Sequence, residues 1–144
     1  MITLAEVDKH NWEECTELRV SKEQEQFVAP NWYSILQSNY EKELYPLCIY
    51  NRNNMVGFLM YGIDRDTNRV ELSRLMIDFE YQGRGYGEAA LLKLLKLVRE
   101  KYGEIKFHTS ITPENIATKC LYEKLGFEKT GEVMWGEEVM TIQL

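Results

Sequence analysis

The chain has 144 residues, 44% hydrophobic and 28% charged, without low-complexity tracts or internal repeats, enough for one domain that buries roughly 70% of its extendable surface. A net charge of −6 disfavours a nucleic-acid or anionic-membrane partner and favours a cationic small molecule. Three dispersed cysteines (Cys15, Cys48, Cys120) and two histidines build neither a disulfide frame nor a zinc site, and the charged start "MITLAEVDKHNW" lacks a signal peptide's apolar core, so a cytoplasmic protein with reduced thiols and no metal is expected.

In chain order, "ITLAEV" alternates and suits a first strand. "NWEECTELRV" starts on a capping residue and sets Trp12, Cys15, Leu18 and Arg19 at helical intervals. "SKEQEQFVAP" is a polar connector ending at Pro30. "NWYSILQSNYEKEL" reads as a second helix with Trp32, Ile35, Leu36 and Tyr40 on one side. "YPLCIYNRNNMVGFLMYGID" reads as a hairpin around the asparagine-rich turn "NRNN", and "RVELSRLMID" continues it into an antiparallel meander. Strict alternation along that third strand sets Glu71, Ser73, Leu75 and Ile77 opposite Leu72, Arg74 and Met76. A helix from Glu88 to Tyr102 presents Leu91, Leu92, Leu94, Leu95 and Val98. "EIKFHTSI" is a strand, "TPENIATKCLYEKL" a helix opened by Thr112 and Pro113 and closed by Gly126, and two strands around "WGEE" end the chain. No linker interrupts these elements, so residues 1–144 form a single α/β (α+β) domain.

The stretch "YQGRGYG" places Gly83, Gly85 and Gly87 at the mouth of a helix. Each glycine destabilises by up to about 1 kcal/mol relative to alanine unless its bare backbone is used. A P-loop needs a Gly-Lys-Ser/Thr ending, which is absent; a dinucleotide fingerprint needs a glycine where Glu88 stands. An anion cradle fits: the first amides of a helix lack internal partners, the dipole adds positive potential, and glycines let a pyrophosphate come close, with Arg84 adding charge.

These residues resemble the acetyl-CoA pyrophosphate loop of the GNAT superfamily of N-acetyltransferases, Arg/Gln-x-x-Gly-x-Gly/Ala, through Gln82, Gly85 and Gly87. A second family element, an asparagine followed by a helix ending Tyr-x-x-Leu-Gly-Phe, is matched by "NIATKCLYEKLGF"; Thr118 departs from the usual small apolar residue. The resemblance implies a mixed, mostly antiparallel sheet of six to seven strands flanked by about four helices, with acetyl-CoA as co-substrate. It implies that the loop Gln82, Gly83, Arg84, Gly85, Tyr86, Gly87 and Glu88 binds the cofactor. The backbone of Leu75, Met76 and Ile77 would hold the pantetheine arm where their strand diverges from "KFHTSI". Asn115 would also contact the cofactor, and Tyr122 would serve as general acid. Lys124 is within reach of a phosphate.

An alkylammonium of pKa about 10.4 is neutral in under about one molecule per thousand at pH 7, so a base must help; Glu71 is the first candidate. The chain is most similar to bacterial spermidine/spermine acetyltransferases in "GEVMWGEEVMTIQL", "MVGFLMYGID" and "RVELSRLMIDFEYQGRGYG". A polyamine needs an acidic groove with aromatic walls. The connector and second helix supply Glu23, Glu25, Glu41 and Glu43 with Phe27, Trp32, Tyr33 and Tyr40, and the last hairpin adds Trp135 and Glu137. Glu23, Trp32, Glu41 and Glu71 are the acceptor-binding residues expected. Acetylation of another amine (a protein N-terminus, an aminoglycoside, an amino acid) and a non-catalytic acetyl-CoA-binding module are the alternatives. Family members are often dimers, so a homodimer is an expectation, although no exposed apolar stripe demands it.

Overall fold

Alternating apolar residues and turns of Asn, Asp and Gly divide the chain into seven strands, and helical spacing supplies four helices. The computed structural model describes residues 1–144. The order is β1 (Ile2–Glu6), α1 (Trp12–Glu17), α2 (Asn31–Tyr40), β2 (Leu44–Asn51), β3 (Asn54–Ile63), β4 (Val70–Ile77), α3 (Tyr86–Tyr102), β5 (Lys106–Ile111), α4 (Ile116–Lys124), β6 (Glu128–Met134) and β7 (Glu137–Gln143). Short 3-10 turns occupy Lys22–Phe27 and Phe79–Tyr81.

All strands join one sheet in the order β1-β2-β3-β4-β5-β7-β6. Every neighbouring pair is antiparallel except β4 with β5. The meander β2-β3-β4, the seven strands and the four helices are those the sequence leads one to expect. Arg52 at φ 56 turns β2 into β3, and Trp135 at φ 55 with Gly136 at φ 76 turns β6 into β7, the sign pattern that suits a two-residue hairpin loop.

The helices cover both faces. On one, Ala90, Leu91, Leu94 and Val98 of α3 and Tyr122 of α4 pack with Ile49, Leu59, Leu72 and Phe107 of the sheet. On the other, Cys15 of α1 and Ile35 of α2 meet Cys48, Phe58, Met60 and Met76. Leu92, expected on the apolar face of α3, is instead exposed, because the buried stripe follows residues 90, 91, 94 and 98.

Three local expectations are corrected. The first helix stops at Glu17 rather than running to Val20. Tertiary bonds claim the chain there, since Arg19 N–H donates to Asp78 Oδ1 at 2.8 Å and Arg19 C=O accepts from Phe79 N–H at 2.7 Å. The second helix stops at Tyr40 and buries Asn31 and Ser34. Asn31 Nδ2 donates to Cys15 C=O at 2.9 Å, so a polar anchor faces inward while Trp32, Leu36 and Tyr40 form an exposed apolar stripe, which the sequence reading did not foresee.

The third correction positions the site. Met60 opposes Arg74 and Tyr61 opposes Leu72, leaving Ser73 without a partner on β3. This bulge shifts the alternation. Val70, Leu72, Leu75 and Ile77 pack on the α3 side, whereas Met76 belongs to the α1/α2 side. Glu71 therefore shares a face with Arg74 and Met76 instead of with Leu75 and Ile77.

Candidate active site

β4 and β5 pair only through Glu71 with His108 and Leu72 with Thr109. Beyond them the strands part, and from Ser73 onward no residue of β4 is paired with β5. A cleft of about 1020 Å³ occupies the gap and extends beneath the connector and α2.

At one end lies the glycine loop. Gly83 and Gly85 have φ of +79 and +82, a backbone region costly for any residue with a Cβ, and a Cβ built on either would meet nothing within 4 Å. Gly85 caps α3, whose first internal bond is Ala89 N–H to Gly85 C=O. The amides of Gly83, Arg84, Gly85, Tyr86, Gly87 and Glu88 find no acceptor in the chain. Exposed amides at the positive end of a 17-residue helix fit a phosphorylated ligand on chemistry alone.

The loop is braced from outside. Gln82 Nε2 donates to Ile77 C=O at 2.9 Å and to Gln24 Oε1 at 2.8 Å. Tyr86 OH accepts from Asn51 Nδ2 at 3.0 Å. Gln82, Gly83, Gly85, Tyr86 and Gly87 line the cleft, as do Leu75, Met76, Ile77, Asn115, Thr118 and Tyr122. Arg84 and Glu88 do not. Arg84 reaches Glu80 C=O at 3.2 Å and lies 5.5 Å from the centre of the Tyr81 ring. Glu88 pairs with Lys124 at 3.0 Å, so that lysine's charge is already engaged. Asn115 precedes the first residue of α4, and its side-chain amide has no partner within the chain.

Two proton-bearing groups also line the cleft. Tyr122 is buried against Phe127, ring centres 5.4 Å apart. Burial pushes its phenol up to about 12, with a bond to the Thr109 side chain opposing the rise. Thr109 Oγ1 itself donates to Leu72 C=O at 3.1 Å, at the point where the strands part. Glu71 lies on the same junction. Burial, then the charge of Asp64, holds its carboxyl up to about 7. Thr67 Oγ1, donating at 3.2 Å, and Arg69 pull the other way.

Of the other expected acceptor residues, Glu23, Trp32 and Glu41 fall outside the cleft lining. Glu23 is exposed on the 3-10 turn. Trp32 is 53% exposed and meets Tyr33 edge-on. Glu41 accepts from Gln37 Nε2 at 2.9 Å and lies 3.8 Å from Arg65. The lining instead includes Tyr33, Gln37, Asp64, Asp66, Arg74, Trp135 and Glu137. Asp64 and Asp66 escaped the sequence reading because "DRDTN" signals a turn equally well, and Asp64 Oδ2 does accept from the amides of Asp66 and Thr67. Glu137 accepts from Ser110 Oγ at 2.6 Å and Thr112 Oγ1 at 3.4 Å.

Residues 5–127 match the model of the acetyltransferase (GNAT) family. The chain belongs to that family. It is 31% identical to a spermine/spermidine N(1)-acetyltransferase of Bacillus subtilis across 99% of both chains. Among solved GNAT-like structures, an aminoglycoside acetyltransferase crystallised with coenzyme A and kanamycin superposes with a TM-score of 0.80 at 18% identity, over 99% of this chain and 95% of that one. The spermidine N-acetyltransferase of Vibrio cholerae, in complex with CoA and spermine, gives 0.76 at 15% identity over 99% and 94%. The N-acetyltransferase assignment therefore rests on the family match and the full-length relative, and the solved structures establish the shared fold.

Proposed function

We propose that this N-acetyltransferase moves an acetyl group from acetyl-CoA to a primary amine, and that a polyamine such as spermine or spermidine is an acceptor. The observation that carries the reading is the parting of β4 from β5 beside the unpaired amides of the glycine loop, with Glu71 and Tyr122 at the point of divergence. The full-length Bacillus relative supports the polyamine, and so do three carboxylates, Asp64, Asp66 and Glu71, at the acceptor end of the cleft.

Acetyl-CoA supplies an acyl group activated as a thioester. The amides from Gly83 to Glu88 hold its pyrophosphate, the free edge of Leu75, Met76 and Ile77 bonds the pantetheine arm, and the unpartnered Asn115 amide adds a contact. Glu71, half-ionised near pH 7, takes the proton of the attacking ammonium, directly or through one water, and so offsets part of the roughly 4–5 kcal/mol cost of a neutral amine. The bulge takes Ser73 out of register with β3, and a backbone N–H freed there would stabilise the negative charge that develops on the reacting carbonyl oxygen. Tyr122, held protonated by burial, gives its proton to the departing sulfur, whose thiolate prefers a proton below about pH 8.5.

Steady-state acetylation of spermine, spermidine, putrescine and lysine by wild type and Tyr122→Phe tests this. Tyr122→Phe keeps the ring packing and is expected to lower kcat by about 100-fold or more; unchanged turnover removes Tyr122 from the proton transfer. Lysine outperforming spermine removes the polyamine choice and leaves acetyl transfer standing.

A further inference from the structure

Arg74 projects from β4 towards α2 and lines the cleft. Its guanidinium has five N–H donors, of which two are used: Nη1 donates to Ser73 C=O at 3.0 Å and Nη2 to Gln37 Oε1 at 3.3 Å. Both acceptors are neutral. Nε is shielded from water and has no partner. No ion pair of the chain includes Arg74. Glu137 and Glu41 act on it through space only, and both are committed elsewhere, Glu137 to Ser110 and Thr112, Glu41 to Gln37 and Arg65.

A half-buried guanidinium without a carboxylate is costly, because desolvation is not offset by a counter-charge. In a groove that serves only polycations it is also repulsive to the ligand. The cleft lining thus carries both signs, Asp64 and Asp66 acting on Glu71 and Arg74 bonded to Gln37 of α2. A planar fork with spare donors is the group best matched to a carboxylate. We infer that Arg74 is a subsite for an anionic group on the acceptor, so that the enzyme's acceptors include amines bearing a carboxylate in addition to the polyamine. The amine then points to Glu71 while the carboxylate completes the guanidinium. This rests on the acetyl-transfer reading of the cleft and not on the choice of polyamine.

Matched acceptors isolate the subsite, since lysine and ornithine are cadaverine and putrescine with one added carboxylate. Release of coenzyme A thiol gives kcat/KM for all four, with wild type, Arg74→Lys and Arg74→Gln, and calorimetry with coenzyme A verifies that each variant retains its fold. Losing a charge-assisted fork should lower the lysine-to-cadaverine and ornithine-to-putrescine ratios about tenfold or more in Arg74→Gln, with Arg74→Lys in between. Ratios unchanged by Arg74→Gln, or wild type that acetylates the diamines and neither amino acid, overturn the subsite. Acetylation of none of the four, nor of spermine, by protein that binds coenzyme A overturns the acceptor reading beneath it.

Discussion

Glu71 draws its character from four neighbours and its depth. Burial and the charges of Asp64 and Asp66 raise its carboxyl to about 7, against the hydrogen bond from Thr67 and the charge of Arg69. Folding therefore tightens proton binding at this site. Between about pH 4.5 and 7 the folded chain holds more protons here than the unfolded one, so stability from this group falls as pH rises through that window. With Glu71 as the proposed base, activity runs the other way, because a base works only when ionised: kcat/KM should climb towards a plateau above about pH 7. Glu71→Gln should cut kcat/KM by about 100-fold or more and remove the acid limb of the profile. In thermal melts the same variant should gain on wild type at pH 8 and lose that advantage below about pH 4.5. A variant that keeps both its rate and its acid limb assigns the base elsewhere.

At the scale of the element, one residue in β4 decides which of its side chains share a face. Skip Ser73, and Val70, Leu72, Leu75 and Ile77 fall on one face while Glu71, Arg74 and Met76 fall on the other. The apolar pattern thus predicts its own interruption, since "VELSRLMI" alternates faithfully only after one position is removed. Deleting Ser73 is expected to give a strand that still folds, with its apolar face intact, yet loses acetyl transfer. Far-ultraviolet dichroism and a coenzyme A release assay read the two effects separately, and full activity in the deletion would deny the bulge its role.

Other elements were legible for similar reasons. The uncapped amides at α3 followed from three glycines before a helical run, and the meander from turn residues at fixed spacing. What stayed hidden was tertiary. The early end of α1 depends on Asp78, 59 residues from Arg19 and in a different element. The withdrawal of Trp32 and Glu41 from the cleft depends on how Asn31 rotates α2. Asp64 and Asp66 looked like turn chemistry, and they are, while also facing the groove.

For the whole molecule, a net charge of −6 combines with the carboxylate corner of the cleft to draw cations inward. Such attraction is screened over about 8 Å at physiological ionic strength. The KM for spermine should therefore rise as salt is raised from about 20 to 500 mM, more steeply than the KM for acetyl-CoA. Equal salt dependence would mean that the corner plays no part in capture.

The two residue pairs between β4 and β5 also have a mechanical meaning. They are the narrow stitch between a four-stranded leaf and a three-stranded leaf, and the open seam runs on from them. Under the proposed reading, a pantetheine arm lying along that seam would stand in for the missing strand, and its binding would tie the two leaves together.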